Sequence, residues 1–190
     1  MSKAFTKEPD GTDGGDDDID GDFEEEILPE GEKNLMTPHG YEVLREELRW
    51  LLREERPRIT EIVSWAAGNG DRSENGDYLY NKKRLREIDR RVRYLTKRTE
   101  SAEIVDPKNQ RGLEQVFFGA TVTYARADNS EITVKLVGVD EADLDKGKIN
   151  WASPVGRALM KLRIGGSADV RVDGHVETIE VVKIKYIIED

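Results

Sequence analysis

The sequence predicts an α+β protein: a long antiparallel helical coiled coil followed by a small antiparallel β domain with one helix. Three observations carry this. Apolar residues recur every three or four positions from Thr37 to about Glu103, one polar stretch from Gly70 to Asp77 interrupts that pattern, and beyond Asp106-Pro107-Lys108-Asn109 the period drops to two. The expected division is an acidic tail over 1–34, a coiled coil over 35–105 with its tip at 70–77, a linker over 106–114, and the β domain over 115–190.

Composition excludes several chemistries before any element is placed. The 190 residues include no cysteine, which removes disulfides and thiolate zinc sites. The two histidines, His39 and His175, stand far apart in the sequence, so no histidine-based catalytic or metal cluster is expected. No apolar run reaches eighteen residues and no basic-then-apolar leader opens the chain. A cytoplasmic protein without membrane contact is expected.

The net charge of −10 belongs to one end. Residues 1–34 hold thirteen Asp+Glu against three Lys+Arg, and the remainder carries equal numbers of each sign. Runs such as Asp16-Asp17-Asp18 and Glu24-Glu25-Glu26 leave little that could enter a core, so this segment is expected to be disordered. It reads either as a solvated tail or as a polyanion competing with nucleic acid for a basic helix further on. Phe23, Ile27 and Leu28 form a candidate docking motif within it.

Thr37-Pro38 is a helix start, with threonine as N-cap and proline at the first helical position, where a missing N–H costs nothing. Tyr41, Leu44, Leu48 and Leu51, then Ile59, Ile62, Val63 and Ala66, make one long amphipathic stripe. Pro57 interrupts it; an interior proline costs about 3 kcal/mol or kinks the helix, so a bend is expected near Glu54 to Pro57. Gly68, Asn69 and Gly70 end this helix. The second pattern runs from about Glu74 to Glu103, with Leu85, Ile88, Val92, Leu95, Thr99 and Ala102 forming a coiled-coil seam. A short connection makes the two helices antiparallel, and some thirty residues at about 1.5 Å each give an arm of roughly 45 Å.

Opposite the seam lies a second periodicity. Lys83, Arg86, Arg90, Arg93 and Lys97 also recur every three or four residues, centred roughly 160° from the apolar stripe. Between Tyr78 and Arg98 there are nine Lys+Arg, Lys82 among them, and only Glu87 and Asp89 as acids. The ridge reads as a solvated face with intrahelical pairs or as a track for a phosphate backbone.

The turn Gly70-Asp71-Arg72-Ser73-Glu74-Asn75-Gly76-Asp77 sits at the end of the arm. Asp71 and Glu74, three residues apart, would bring their Cβ atoms to roughly 5–6 Å on a helical turn. Two such carboxylates either share a cation or form a capping box with backbone N–H groups at a helix start.

In the C-terminal half, Thr121 to Tyr124 and Ile132 to Val137 read as strands around an Asp128-Asn129-Ser130 turn. Ser153-Pro154 caps a short helix expected to run through Leu162. Ala168 to Val172, an Asp173-Gly174 turn and Val176 to Ile188 complete a strongly twisted sheet.

With these parts in place the chain resembles the bacterial Gre transcript-cleavage factors, closest to the GreB branch. The resemblance rests on Glu54-Glu55-Arg56-Pro57, on Gly70 to Asn75 with Asp77-Tyr78, and on the run from Tyr80 to Leu95. Val116-Phe117-Phe118-Gly119-Ala120, Ser153-Pro154 and Arg157-Ala158-Leu159 extend it, so that it covers about residues 35–190. It implies a C-terminal domain similar to the FK506-binding-protein fold, docked at the rim of the RNA polymerase secondary channel, with the coil reaching inward as a monomer. Asp71 and Glu74 match the tip acids of that family, and Ser153 and Pro154 fall in its polymerase-docking loop. Three departures stand out: the acidic tail lies outside the family pattern, Ala152 replaces a common acid, and Gly76 replaces a common alanine.

The function this implies is stimulation of the polymerase's own cleavage of the 3′ end of backtracked RNA. The chain would be an activator rather than an enzyme and would hold no cofactor tightly. Asp71 and Glu74 would help bind the second Mg²⁺ of the polymerase active site and orient a water, Ser73 would add a hydrogen bond, and Lys82 with the ridge cations would hold the RNA. Two other classes are weighed: a non-cleaving plug of the channel, and a peptidyl-prolyl isomerase built on the β domain. The latter needs an aromatic-lined pocket, for which Phe117, Phe118, Tyr124, Trp151 and Tyr186 are few and scattered.

Overall fold

The structure, a computed structural model, describes residues 33–68, 75–172 and 174–187. Its N-terminal unit is built from strand β1 (Asn34–Met36), helix α1 (Pro38–Trp50), a π-helical turn (Leu51–Glu55), α2 (Arg56–Ala67), α3 (Gly76–Glu100) and strand β2 (Ala102–Ile104). Thr37 caps α1 by accepting the Gly40 N–H at 3.0 Å, and Pro38 is the first helical residue. Asn34 is buried, so this unit already includes the last residue assigned to the tail.

Around Pro57, where a bend is expected, the chain widens into the π turn just before the proline, and the Arg56 N–H reaches back five residues to the Leu51 carbonyl. Proline has no N–H to offer an α-helical ladder, and one wide turn absorbs the missing bond while the helix continues.

The two helical segments run antiparallel, as three cross-links in reversed order attest: Glu47 with Arg91, Glu55 with Arg84, and Ala66 with Asn75. Met36, Leu44, Leu51, Ile59, Ile88 and Leu95 form the buried seam, flanked by Tyr41, Leu48, Ile62, Val63, Leu85 and Val92. Each such side chain contributes about 1.5–3 kcal/mol when fully buried.

One boundary differs from the sequence reading. The second helix stops at Glu100, not Glu103, because Ala102–Ile104 pair in parallel with Asn34–Met36. Ser101 ends the helix, its N–H and its hydroxyl both donating to the Lys97 carbonyl at 3.1 and 2.8 Å. Ala102 still packs against the seam, which is why it keeps the apolar spacing without being helical.

The C-terminal unit contains β3 (Thr121–Ala125), β4 (Glu131–Val137), β5 (Lys148–Asn150), a short α4 (Pro154–Leu159), β6 (Ser167–Val172) and β7 (His175–Lys185) in one sheet of order β5-β4-β3-β7-β6. It is antiparallel except where β5 pairs in parallel with β4. Val116, Val122, Leu136, Leu159 and Val181 are fully buried between sheet and helix. The β3–β4 turn is closed by Asp128, whose carboxylate accepts the Ser130 N–H at 2.9 Å while Asn129 adopts φ 64°. Helix α4 is shorter than expected, ending at Leu159 rather than Leu162, and β7 ends at Lys185, ahead of the expected Ile188, which lies outside the described residues.

A short 3₁₀ turn, Val139–Glu141, joins the two units. The Glu141 carboxylate accepts the N–H of Gly138 at 3.1 Å and of Thr37 at 2.9 Å, and also the Thr37 hydroxyl. Beside it, Asp140 accepts the Arg98 Nε–H at 2.8 Å and the Tyr94 hydroxyl, and its Oδ2 lies 2.6 Å from Arg98 Nη2 as an ion pair. Both Arg98 and Asp140 side chains are more than nine-tenths buried.

Candidate functional site

The hairpin end is pinned by one residue. Asn75 is the N-cap of α3, its side-chain oxygen accepting the Tyr78 N–H at 3.2 Å, while its Nδ2 donates to the Ala66 carbonyl at 2.9 Å. The same amide therefore starts α3 and satisfies the end of α2, where carbonyls lack helical partners. Asp71, Ser73 and Glu74 lie outside the described residues. The N-cap of α3 within the described residues is Asn75. The signal was present in the sequence, since asparagine ahead of a helical pattern is a favoured N-cap. Gly76 opens the helix, and a Cβ there would meet nothing within 4 Å.

The cations of α3 divide by face. Those turned toward the rest of the protein are paired: Arg84 with Glu55 at 3.7 Å and Glu87 at 3.3 Å, Arg91 with Glu47 at 2.8 Å, Arg98 with Asp140. Arg56 of α2 pairs with Asp89 across the seam at 2.8 Å. Lys83, Arg86, Arg90, Arg93 and Lys97 are all exposed on the outer face. Lys83, Arg90, Arg93 and Lys97 have no carboxylate partner among the described residues. Lys82 stands apart from the ridge, half-buried, its Nζ 5.9 Å from the Tyr78 ring centroid.

Exposed aromatics flank the hairpin end: Trp65 on α2 and Tyr80 on α3 are 68% and 71% exposed. Sequence reasoning passed over both, since neither falls on the apolar stripe.

Ser153 and Pro154 form a rigid corner on the C-terminal unit. The Ser153 hydroxyl caps α4 by accepting the Gly156 N–H at 3.1 Å, and Pro154 is exposed at the first helical position. Arg157 Nε donates to the Ala152 carbonyl at 2.7 Å. Gly156 is required, because a Cβ there would lie 2.5 Å from the carbonyl oxygens of Asn150 and Trp151.

The aromatics weighed for an isomerase pocket are otherwise employed. Tyr124 and Phe118 are buried, Trp151 packs against the sheet core, and the Tyr186 hydroxyl accepts the Phe117 N–H at 3.0 Å and donates to the Gln115 carbonyl at 2.7 Å. Burial raises the phenol pKa of both Tyr124 and Tyr186 above the usual 10.0. Among the described residues, no helix is long and apolar enough to cross a membrane, and no group of three or more His, Asp or Glu is placed to hold a metal ion.

Fold and site together define a class: two-unit α+β proteins that display their charged residues along a helical hairpin braced against a small curled sheet. The family model described as "Transcription elongation factor, N-terminal" matches residues 34–104, and that described as "Transcription elongation factor, GreA/GreB, C-term" matches residues 94–186. Transcription elongation factor GreB of Neisseria meningitidis serogroup A is 54% identical over 155 residues, covering 82% of this chain and 95% of that protein. GreB of Yersinia pestis is 46% identical over 153 residues, 80% of this chain and 89% of that protein. Among solved structures, the GreA factor homolog Gfh1 of Thermus thermophilus shares 25% identity at a TM-score of 0.38, covering 81% of this chain and 99% of that one. This chain belongs to the GreA/GreB family of transcription elongation factors.

Proposed function

We propose that this chain enters the secondary channel of RNA polymerase and stimulates the polymerase's intrinsic cleavage of the 3′ end of backtracked RNA. The observation that supports this most directly is the Asn75 cap. With α3 capped by an asparagine amide, that helix start does not call on the carboxylates of Asp71 and Glu74.

The donor set suits the Mg²⁺ of a polymerase active site. Carboxylate oxygens are the ligands a hard cation prefers, and Mg²⁺ keeps several waters beside one or two carboxylates. When bound, the ion supplies Lewis-acid polarisation of the phosphodiester and a more acidic water. Asp71 and Glu74 would help hold that ion through their carboxylate oxygens and would accept a hydrogen bond from the attacking water. Ser73 donates a hydrogen bond to the RNA or to that water. Lys83, Arg86, Arg90, Arg93 and Lys97, with Lys82 at their flank, neutralise phosphates of the extruded RNA. Ser153 and Pro154 seat the C-terminal unit on the polymerase rim. The chain itself makes and breaks no covalent bond.

The test is a halted elongation complex carrying 5′-labelled RNA, incubated with this protein and Mg²⁺ and resolved on a gel. Shortened labelled RNA is the expected result; unchanged lengths with slowed transcription would replace this reading with a plug that only blocks the channel.

A further inference from the structure

Both family matches begin at or after residue 34, and residues 1–32 precede the described structure. That segment holds thirteen Asp+Glu and only two lysines, Lys3 and Lys7. Its point of attachment is defined. Asn34 Nδ2 donates to the Arg98 carbonyl at 2.9 Å and to the Ser101 hydroxyl at 3.1 Å, and Lys33 pairs with Glu103 at 2.9 Å. Because β1 runs parallel to β2 with Asn34 opposite Ala102, the chain ahead of Asn34 arrives from the side of the last turn of α3. Lys97 stands on that turn. The acidic segment is thus tethered at the foot of the basic ridge.

Reach is no obstacle. The ridge from Lys97 to Lys83 extends about 21 Å along the helix. At about 3.3 Å per extended residue, Glu26 can travel roughly 23 Å from Lys33, and Asp18 roughly 50 Å. Both acidic runs can therefore lie beside the ridge, whose outward cations Lys83, Arg90, Arg93 and Lys97 have no carboxylate partner among the described residues while the inward ones do.

From tether, reach and charge we infer that the acidic N-terminal segment of this chain docks on the outer face of α3 and competes with the RNA backbone for it. The segment is an intramolecular brake, strongest at low salt. The inference rests on the reading of the ridge as an RNA track. A tethered ligand acts at an effective concentration on the order of 1 mM. Against a nonspecific electrostatic dissociation constant of about 0.1 mM, it weakens RNA binding about tenfold.

The experiment compares the full chain with a full-length variant, D16N/D17N/D18N/E24Q/E25Q/E26Q, for binding of a fluorescent single-stranded RNA at about 50 and 200 mM salt. Carbodiimide coupling followed by mass spectrometry maps carboxylate–lysine contacts in the unliganded full chain. The expected result is about tenfold tighter RNA binding by the variant at low salt, a difference that shrinks at high salt, and tail-to-Lys83 or tail-to-Lys97 cross-links that RNA removes. Equal affinities, or tighter binding without those cross-links, would overturn docking. An R90Q/R93Q change in the neutralised chain tests the underlying reading separately: unchanged RNA binding there would remove the ridge as an RNA track, even with tail cross-links present.

Discussion

The side-chain nitrogen of Asn75 lies 2.9 Å from the carbonyl oxygen of Ala66, nine residues earlier, so one amide bridges the end of α2 and the start of α3. Asn75→Ala should lose both this bond and the cap on Tyr78, costing about 1–2 kcal/mol. Asn75→Asp keeps the acceptor for Tyr78 and loses only the donor to Ala66, so it should cost less. Urea denaturation gives the two values, and faster amide exchange at Tyr78 in the alanine variant alone would assign the cap.

The tip acids are tested by neutral isosteres. Asp71→Asn or Glu74→Gln should abolish stimulated RNA cleavage in the halted-complex assay while leaving polymerase binding within about twofold, because each change keeps the size and shape of the side chain and removes only its charge. Loss of binding in step with cleavage would mean these residues support docking rather than chemistry.

The link between the units is a buried ion pair with a phenol attached. Asp140→Ala leaves the Arg98 guanidinium buried without its counter-charge, and breaking such a pair by removing one partner costs about 3–5 kcal/mol. The expected readout is a large fall in the urea midpoint and separate unfolding transitions for the helical and β units, since Thr37 with Glu141 would be left as the main polar link. A double change of Arg98→Met and Asp140→Leu should recover most of the loss.

Much of this was legible in the sequence, and the misses share a cause. The antiparallel hairpin, its seam and the outward ridge followed from periodicity, because a helix converts spacing directly into faces. The Thr37 cap, the Ser153 cap and the Asp128 turn followed from local side-chain chemistry. What escaped were features made by residues distant in sequence: the three-residue pairing of Asn34–Met36 with Ala102–Ile104, the edge strand at Lys148–Asn150, and the Arg98–Asp140 link. Periodicity set Arg84, Arg91 and Arg98 off the ridge, but a count of nine cations on α3 could not say which were already paired; the fold supplies their partners Glu55, Glu47 and Asp140.

Alkaline pH should loosen the β unit. The folded-state pKa of Tyr186 and of Tyr124 is raised by burial, so the neutral phenol is favoured in the folded protein. Their contribution is whole below the unfolded value near 10.0 and is lost as pH rises through the folded one. Urea midpoints measured from about pH 8 to 11 should hold steady and then fall. Tyr186→Phe should lower the plateau by about 1 kcal/mol, through its two lost hydrogen bonds, and flatten the alkaline decline.

The wide turn at Leu51–Glu55 keeps the faces of the helix in register on either side of Pro57. A π turn holds one residue more than an α turn, which is why Leu51 and Ile59, eight residues apart, share one seam with Leu44. Deleting a single residue within the π turn would return the segment to regular winding and leave that seam intact, whereas the same deletion further along α2 would turn the residues beyond it by about 100° about the helix axis. The π turn thus works as an alignment key, carrying the apolar face past a residue that has no N–H to give.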